Sequence, residues 1–189
     1  MKSWLKTFLE SFNTSSKKNQ EFSYKCSCCG EVKTGIPSFD TQAPVQFFSI
    51  DPNEQEHRCQ LTTDTCVIDG EYFFVKGCLE IPIIDLEEKL VINSWLSLSE
   101  KNFNFFLDLY EVANRDHHKP MGGWFSTSFW PYTDTSNLQG QIFLRNDGIR
   151  PLIRLVESNH PLSLAQHKGL TQNKLREICE YNLQCHPLN

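Results

Sequence analysis

The sequence predicts an α+β fold, in which helices pack on a mainly antiparallel sheet. Asp69-Gly70 lies between two runs of β-branched and aromatic residues, which is a strong short-range signal for a β-hairpin. A separate segment, 100–112, carries apolar residues at helical spacing. Strands and helices do not alternate regularly along the chain, so a doubly wound parallel sheet is not expected.

Strands are expected where short apolar or alternating runs are bounded by turn residues. They are predicted at 22–26, 45–50, 66–75 (as the hairpin), 79–84, 91–96, 124–130, 141–145 and 149–156.

Helices are expected where helical periodicity coincides with start and stop residues. Pro52 suits the first turn of a short helix, and the side chains of Ser99 and Thr171 can accept hydrogen bonds from the unpaired amides of two others. Gly169 ends a helix that begins at Pro161. A short helix is therefore predicted to start near residue 52, and further helices are predicted at 100–112, 161–168 and 172–184.

Two regions follow from the composition along the chain. Residues 1–20 form an amphipathic helix (3–12) and a polar linker, and residues 21–189 form a single α+β domain. Lys6 and Glu10 interrupt any apolar core of a signal peptide, so the chain is expected in the cytoplasm. No apolar run approaches the ~18 residues of a membrane span.

The charge is acidic and unevenly distributed. The formal net charge is −5, whereas general nucleic-acid binders are basic, so no nucleic-acid partner is expected. Between residues 51 and 88, ten acidic residues accompany only Arg58 and Lys76. This segment is either a solvated face that keeps the protein soluble or a docking face for a basic protein partner. The candidate contacts are Glu54, Glu56, Glu87 and Glu88.

Three of the eight cysteines fall within Cys26-Ser-Cys-Cys29-Gly30. Two thiolates in a CxxC spacing on a tight turn can face one tetrahedral Zn²⁺, and the glycine permits the chain reversal. The predicted structural zinc site takes Cys26 and Cys29, with Cys66 and Cys78 as candidate partners. Cys59 is a further candidate, and the alternative for Cys66 and Cys78 is that they are buried core thiols.

A candidate pocket is formed by polar residues near predicted strand ends, Asp134, Asn137 and Arg150. The alternative is that Asp134 and Asn137 only form turns and that Arg150 pairs with a carboxylate. Motifs of phosphate-binding loops, dinucleotide-binding folds and serine-nucleophile elbows do not occur in the sequence.

The order of several short motifs resembles a bacterial family known as domain of unknown function 2199. The likeness runs from about residue 22 to 183, and it implies no established activity. The family pattern often carries a histidine near Lys33, which this chain lacks. The matching motifs are Cys26-Ser-Cys-Cys-Gly30, Gly35-Ile-Pro37, Cys66-Val-Ile-Asp-Gly-Glu-Tyr-Phe-Phe74, Leu79-Glu-Ile-Pro82, Trp95-Leu-Ser-Leu-Ser99, Asn102-Phe103, Gly123-Trp124, Asp134-Thr135, Asn137-Leu138, Arg150-Pro-Leu-Ile153 and His160-Pro-Leu162.

The functional hypothesis is a non-enzymatic cytoplasmic interaction domain with a structural zinc site. Its sharpest form is an immunity-type inhibitor that covers the active site of a basic toxin, because acidic and aromatic surfaces give both anchoring and fast, steered association. One alternative is a small metal-dependent hydrolase, which needs an open coordination position and a general base. The other is a regulatory metal-binding module.

Overall fold

The computed structural model describes residues 21–135 and 138–183, and it confirms the α+β class. The predicted helix 3–12 and the linker to residue 20 lie outside this part of the chain. The strands are β1 (Ser23–Lys25), β2 (Val32–Thr34), β3 (Ser38–Asp40), β4 (Cys59–Leu61), β5 (Thr65–Ile68), β6 (Tyr72–Pro82), β7 (Lys89–Leu98), β8 (Met121–Trp124), β9 (Gln139–Phe143) and β10 (Leu152–Leu155). The helices are α1 (Pro52–Arg58), α2 (Glu100–Asp108), α3 (Pro161–Lys168) and α4 (Gln172–Asn182).

The strands form two sheets. β1 and β2 make a small antiparallel hairpin of their own. The large sheet has the order β3-β7-β6-β10-β9-β8, and β5 adds to the first residues of β6 and carries β4 on its other side. Most pairings are antiparallel, but β3 with β7 and β6 with β10 are parallel, so the sheet is mixed rather than purely antiparallel.

The predicted hairpin at Asp69-Gly70 is present with a three-residue loop. Asp69 and Gly70 both have positive φ angles, 54° and 69°, and Ile68 pairs with Tyr72. A two-residue loop would place Cys66 opposite Phe73, whereas the longer loop places it opposite Phe74. This shift of one residue decides which face of β6 lies beside Cys66.

Alternation along β6 separates two apolar layers. Val75, Leu79 and Ile81 belong to the main core, to which α2, α3 and α4 contribute their buried faces. On the opposite face a smaller cluster contains Cys66, Phe74 and Trp95 with neighbouring apolar side chains. Burial of apolar area on both faces stabilises the central strands.

Three predicted helix starts have the expected caps. The Ser99 Oγ accepts a hydrogen bond from the amide of Asn102, the Thr171 Oγ1 accepts one from Lys174, and Pro52 occupies the first turn of α1. The side chain of Asp51 caps α1 by accepting from the Asn53 amide. Local side-chain chemistry therefore fixed these boundaries.

The strand predicted at 45–50 is wrong. Residues Phe47–Ser49 form a 3₁₀ turn instead, because the amide of Phe47 donates to the Pro44 carbonyl and that of Ile50 returns to Phe47. Apolar content alone cannot distinguish a short strand from a packed turn.

The glycine pair Gly122-Gly123 lies inside β8. A Cβ at Gly123 would lie only 1.6 Å from the backbone oxygen of Ser97, so a side chain there is sterically excluded. The glycine allows the backbone of β8 to pass close against that of β7. In the part of the chain that the structure describes, no helix is long and apolar enough to cross a membrane.

Candidate metal centre

The turn between β1 and β2 carries the first three cysteines. The amide of Cys26 donates to the Glu31 carbonyl (2.8 Å), and the amide of Gly30 donates to the Cys26 carbonyl (2.9 Å). Gly30 has a φ of 75°, a left-handed conformation that glycine adopts without steric cost. The chain therefore reverses tightly enough to turn several thiols toward one point.

The Sγ atoms of Cys26, Cys28 and Cys29 all lie within 4.8 Å of one another. This thiol cluster has the composition and spacing to hold a metal ion. The Sγ atoms of Cys26 and Cys28 are 3.2 Å apart. Two thiolates on one tetrahedral zinc lie about 3.8 Å apart, from Zn–S bonds of about 2.3 Å. A small opening of this exposed loop is enough to admit the ion.

The thiol cluster rests against the C-terminal end of α4. The hydroxyl of Ser27 donates to the Glu180 carbonyl (2.9 Å), and the Sγ of Cys26 lies 4.0 Å from the Leu183 carbonyl oxygen. Further along the hairpin, the Nε of Arg176 donates to the Ser23 carbonyl (3.0 Å). Three contacts therefore join the hairpin and this helix.

The position at a helix C-terminus has an electrostatic consequence. The carbonyl end of a helix carries a partial negative charge, which disfavours a bare thiolate and favours a cation. Reactive cysteines of redox proteins sit instead at helix N-termini or beside cationic groups, where their pKa is lowered. The end of α4 therefore does not activate the thiol of Cys26 as a nucleophile.

Cys66 and Cys179 are core thiols. Each is fully buried, and burial raises the pKa of each to about 12. Burial also raises the pKa of Cys59. Cys66 and Cys179 therefore stay protonated at neutral pH, as expected of core thiols.

The structure brings Cys26 and Cys29 of the predicted ligand set together, and it places Cys28 with them. Cys66 and Cys78 lie in the large sheet and are not members of the thiol cluster. Cys66 is opposite Phe74, four residues from Cys78 along β6, or about 13 Å. The thiol of Cys78 donates instead to the Asn93 Oδ1 (3.4 Å). The sequence could have indicated Cys28 as a member of the cluster, because three cysteines fall within four residues.

The four acidic residues predicted to contact a partner lie at opposite ends of the large sheet. Glu54 and Glu56 are on α1, which packs on β4 beside the start of β6. Glu87 and Glu88 lie in the connection that follows the end of β6. The ends of this eleven-residue strand are roughly 33 Å apart. The pair Glu54 and Glu56 and the pair Glu87 and Glu88 therefore form two separate acidic sites.

The candidate pocket is placed only in part, because Asn137 lies outside the described residues. The Nε of Arg150 donates to the Asp64 Oδ1 (2.6 Å), and a guanidinium nitrogen lies 3.6 Å from the Asp40 Oδ1. Asp134 has a positive φ of 56°, as expected of a turn-forming aspartate. These observations favour the alternatives for both residues, a carboxylate partner for Arg150 and a turn at Asp134.

Comparison with known proteins places this α+β chain, with its thiol cluster, in a bacterial family. The profile of an uncharacterised family conserved in bacteria, domain of unknown function 2199, matches residues 25–170. The chain belongs to this family. No curated protein and no solved structure matches the sequence. The match begins next to the thiol cluster and ends just before α4.

Proposed function

We propose that this protein is a non-catalytic domain held together by a structural zinc ion at Cys26, Cys28 and Cys29. The observation that carries the proposal is the mutual approach of three Sγ atoms within 4.8 Å on one turn. Thiolate sulfur is the preferred ligand of structural Zn²⁺, which is bound in closed tetrahedral sites.

The hairpin that holds the cluster is too short to be stable without further support. β1 and β2 are three residues each, and an isolated two-stranded hairpin is marginally stable in water. Its attachment to the rest of the molecule rests on the burial of Phe22 and Tyr24 and on the contacts with α4. A metal ion bound at the turn adds coordinate bonds to these apolar and polar contacts.

The hydrolase alternative receives less support from the geometry. Within the described residues, the group of close metal-binding side chains at the turn consists of thiols alone, without a histidine or a carboxylate. A metal-dependent hydrolase needs an open coordination position and a general base close to it. The thiol cluster fits the closed shell of a structural site better.

Native mass spectrometry of the full chain tests this proposal. We expect one zinc ion per chain, its loss in Cys28→Ser, and its retention in the control Cys59→Ser, whose thiol lies on β4. Chelation should increase amide hydrogen exchange in β1, β2 and the last turn of α4, while β6 and β7 stay protected. Metal-free protein at saturating zinc, or zinc loss that leaves exchange in the hairpin unchanged, contradicts a structural zinc.

A second candidate function is the binding of a basic protein partner at the end of the sheet that carries α1. Phe48 is 61% exposed, packs edge-on against Phe47, and lies in the turn shortly before α1, a helix with no buried residue. Exposed Glu54 and Glu56 lie on the same segment. An aromatic anchor beside carboxylates is the composition that gives a protein interface both binding energy and steering. Inhibition of a basic toxin is the sharpest form of this proposal.

The two acidic sites provide a matched pair of variants. Native mass spectrometry of the protein isolated gently from its own cells identifies a stoichiometric partner. We expect the double reversal Glu54→Lys/Glu56→Lys to slow association at low salt more strongly than Glu87→Lys/Glu88→Lys, because charge close to the docking face steers the partner most. Equal rates for all three proteins would remove the docking proposal for α1.

A further inference from the structure

A cleft opens in the large sheet where two parallel strands separate. β6 and β10 pair over two positions, and the pairing ends at Leu79 and Ile153. Beyond this point the edge of β10 that faces β6 bonds to the side chain of Gln166 on α3. The Gln166 Nε2 donates to the Ile153 carbonyl (2.8 Å), and its Oε1 accepts from the Leu155 amide (2.8 Å). The two strands therefore diverge at their carboxyl ends.

The end of α3 bridges the gap between the diverging strands. The Nε2 of His167 donates to the Leu155 carbonyl (2.9 Å), and the amide of Leu170 donates to the Pro82 carbonyl (2.9 Å). A concave space of about 270 Å³ remains between the strand ends. Its size is close to the lower end of the range for small-molecule sites, roughly 300–1,000 Å³. Crevices beyond the carboxyl ends of parallel strands are the usual ligand sites of open sheets.

The charged groups of this cleft are mostly positive. Its lining includes Glu80, Lys89 and Arg154. The Glu80 carboxylate is already bound by two cations, the Lys89 Nζ (2.9 Å) and a guanidinium nitrogen of Arg145 (2.8 Å). The guanidinium of Arg154 lies over the Phe143 ring, 5.2 Å from its centroid, and forms no ion pair with a described residue. Three cations and one carboxylate leave a net charge of +2 at the cleft.

We infer that the cleft binds a small phosphate monoester. A phosphate monoester carries a charge of about −1.5 to −2 at pH 7, which complements the charge of the cleft. The planar guanidinium of Arg154 can donate two parallel hydrogen bonds to one phosphate group, and Lys89 adds a point charge. Pro82 and Leu152 also line the cleft and offer apolar contacts to the carbon part of the ester. This site is separate from the thiol cluster and does not depend on the zinc proposal.

Titration of the full chain with inorganic phosphate at constant ionic strength, followed by amide chemical shifts, tests the site. We expect saturable shifts concentrated at 80–82, 152–155 and 166–167, and tighter binding of phenyl phosphate. Arg154→Gln should weaken binding by about 10–100-fold, because hydrogen bonds between charged groups are the strong ones. The control Lys101→Gln removes an exposed positive charge from α2, which packs on the other end of β6, and should bind like wild type.

Three results would overturn the inference. Shifts that do not saturate, or that Arg154→Gln and Lys101→Gln reduce equally, would show that phosphate does not bind in the cleft. Acetate that binds as tightly as phosphate would overturn the choice of phosphate, and phenyl phosphate that binds no better than inorganic phosphate would overturn the ester. Arg154→Lys keeps the charge without the planar fork, so its affinity should lie between those of wild type and Arg154→Gln. Dispersed amide spectra verify that each variant is folded.

Discussion

Lys76 and Asp40 form an ion pair that reaches across an intervening strand. The Nζ of Lys76 lies 3.1 Å from the Asp40 Oδ2, although β7 separates β6 from β3. The lysine side chain is 4% exposed and also lies over the Trp95 ring, 5.0 Å from its centroid. One buried cation is therefore held between a carboxylate and an aromatic face.

The two members of this pair should respond unequally to substitution. Asp40→Asn leaves a buried ammonium without its carboxylate, and we expect a loss of about 1–3 kcal/mol in the free energy of unfolding. A fully buried pair would lose more, but Asp40 is half exposed. Lys76→Met removes the charge and keeps the stem, and should cost less than Asp40→Asn. Urea unfolding measures both, and a larger loss for Lys76→Met would contradict this account.

The adjacent glycines Gly122 and Gly123 of β8 should differ in how well they tolerate substitution by alanine. Gly123→Ala places a methyl group into the backbone of Ser97, and we expect a loss above about 3 kcal/mol or failure to fold. Gly122→Ala meets its nearest neighbour only at 4.0 Å, and should change stability by less than about 0.5 kcal/mol. Thermal unfolding of the two variants tests the difference, and similar melting temperatures would show that β7 and β8 are farther apart.

Thiol alkylation should distinguish the cysteines by their environment. At pH 8 a thiol of pKa about 12 is ionised in only about one molecule in ten thousand, so Cys66 and Cys179 should resist iodoacetamide in the folded protein. The exposed Cys28 and Cys29 should react after chelation and be protected by added zinc. Peptide mapping by mass spectrometry reads each site. Rapid modification of Cys66 in folded protein would refute the assignment.

Glu80 makes stability depend on pH in the acidic range. Burial alone would raise its pKa, but the hydrogen bonds and charges of Lys89 and Arg145 outweigh burial and hold the pKa below its ordinary value of 4.5. The ionised form therefore stabilises the fold above about pH 4.5, and this contribution is lost as the pH falls through the lowered pKa.

We therefore expect Glu80→Gln to be less stable than wild type at pH 7, with the difference shrinking below pH 4.5. Glu177→Gln is the control, because its partner Lys174 is exposed and such surface pairs contribute little. Denaturant unfolding at several pH values provides the measurement. A stability difference for Glu80→Gln that is constant from pH 7 to pH 3 would show that the carboxylate is not stabilised by its partners.

Local chemistry made much of the fold predictable from sequence. Ser99, Thr171 and Asp69-Gly70 mark their boundaries by capping or by left-handed backbone, which depends on neighbours in the chain. The parallel pairing of Cys78 with Leu152 was not predictable, because it joins residues more than seventy positions apart. The hairpin loop also lengthened by one residue, which moved Cys66 opposite Phe74.

The candidate site was predictable to the same extent. The cysteine spacing located the turn and two of the three clustered thiols, since a tight reversal gathers residues that are near in sequence. The support from α4 left no such signal, because the contacts of Ser27 with Glu180 and of Ser23 with Arg176 connect opposite ends of the chain. Cys66 and Cys78 could be proposed as distant ligands only from their residue type.

The contact between β1 and α4 joins two elements that are far apart in the sequence, so the chain between them forms a closed loop. Closing a loop of some 150 residues costs little more entropy than closing one of 75, because the cost grows only with the logarithm of length. Packing of the first strand on the last helix already provides this closure. A metal ion bound at the turn would strengthen a contact that packing already makes, and its removal should ease the separation of β1 from α4 while the sheet between them stays folded.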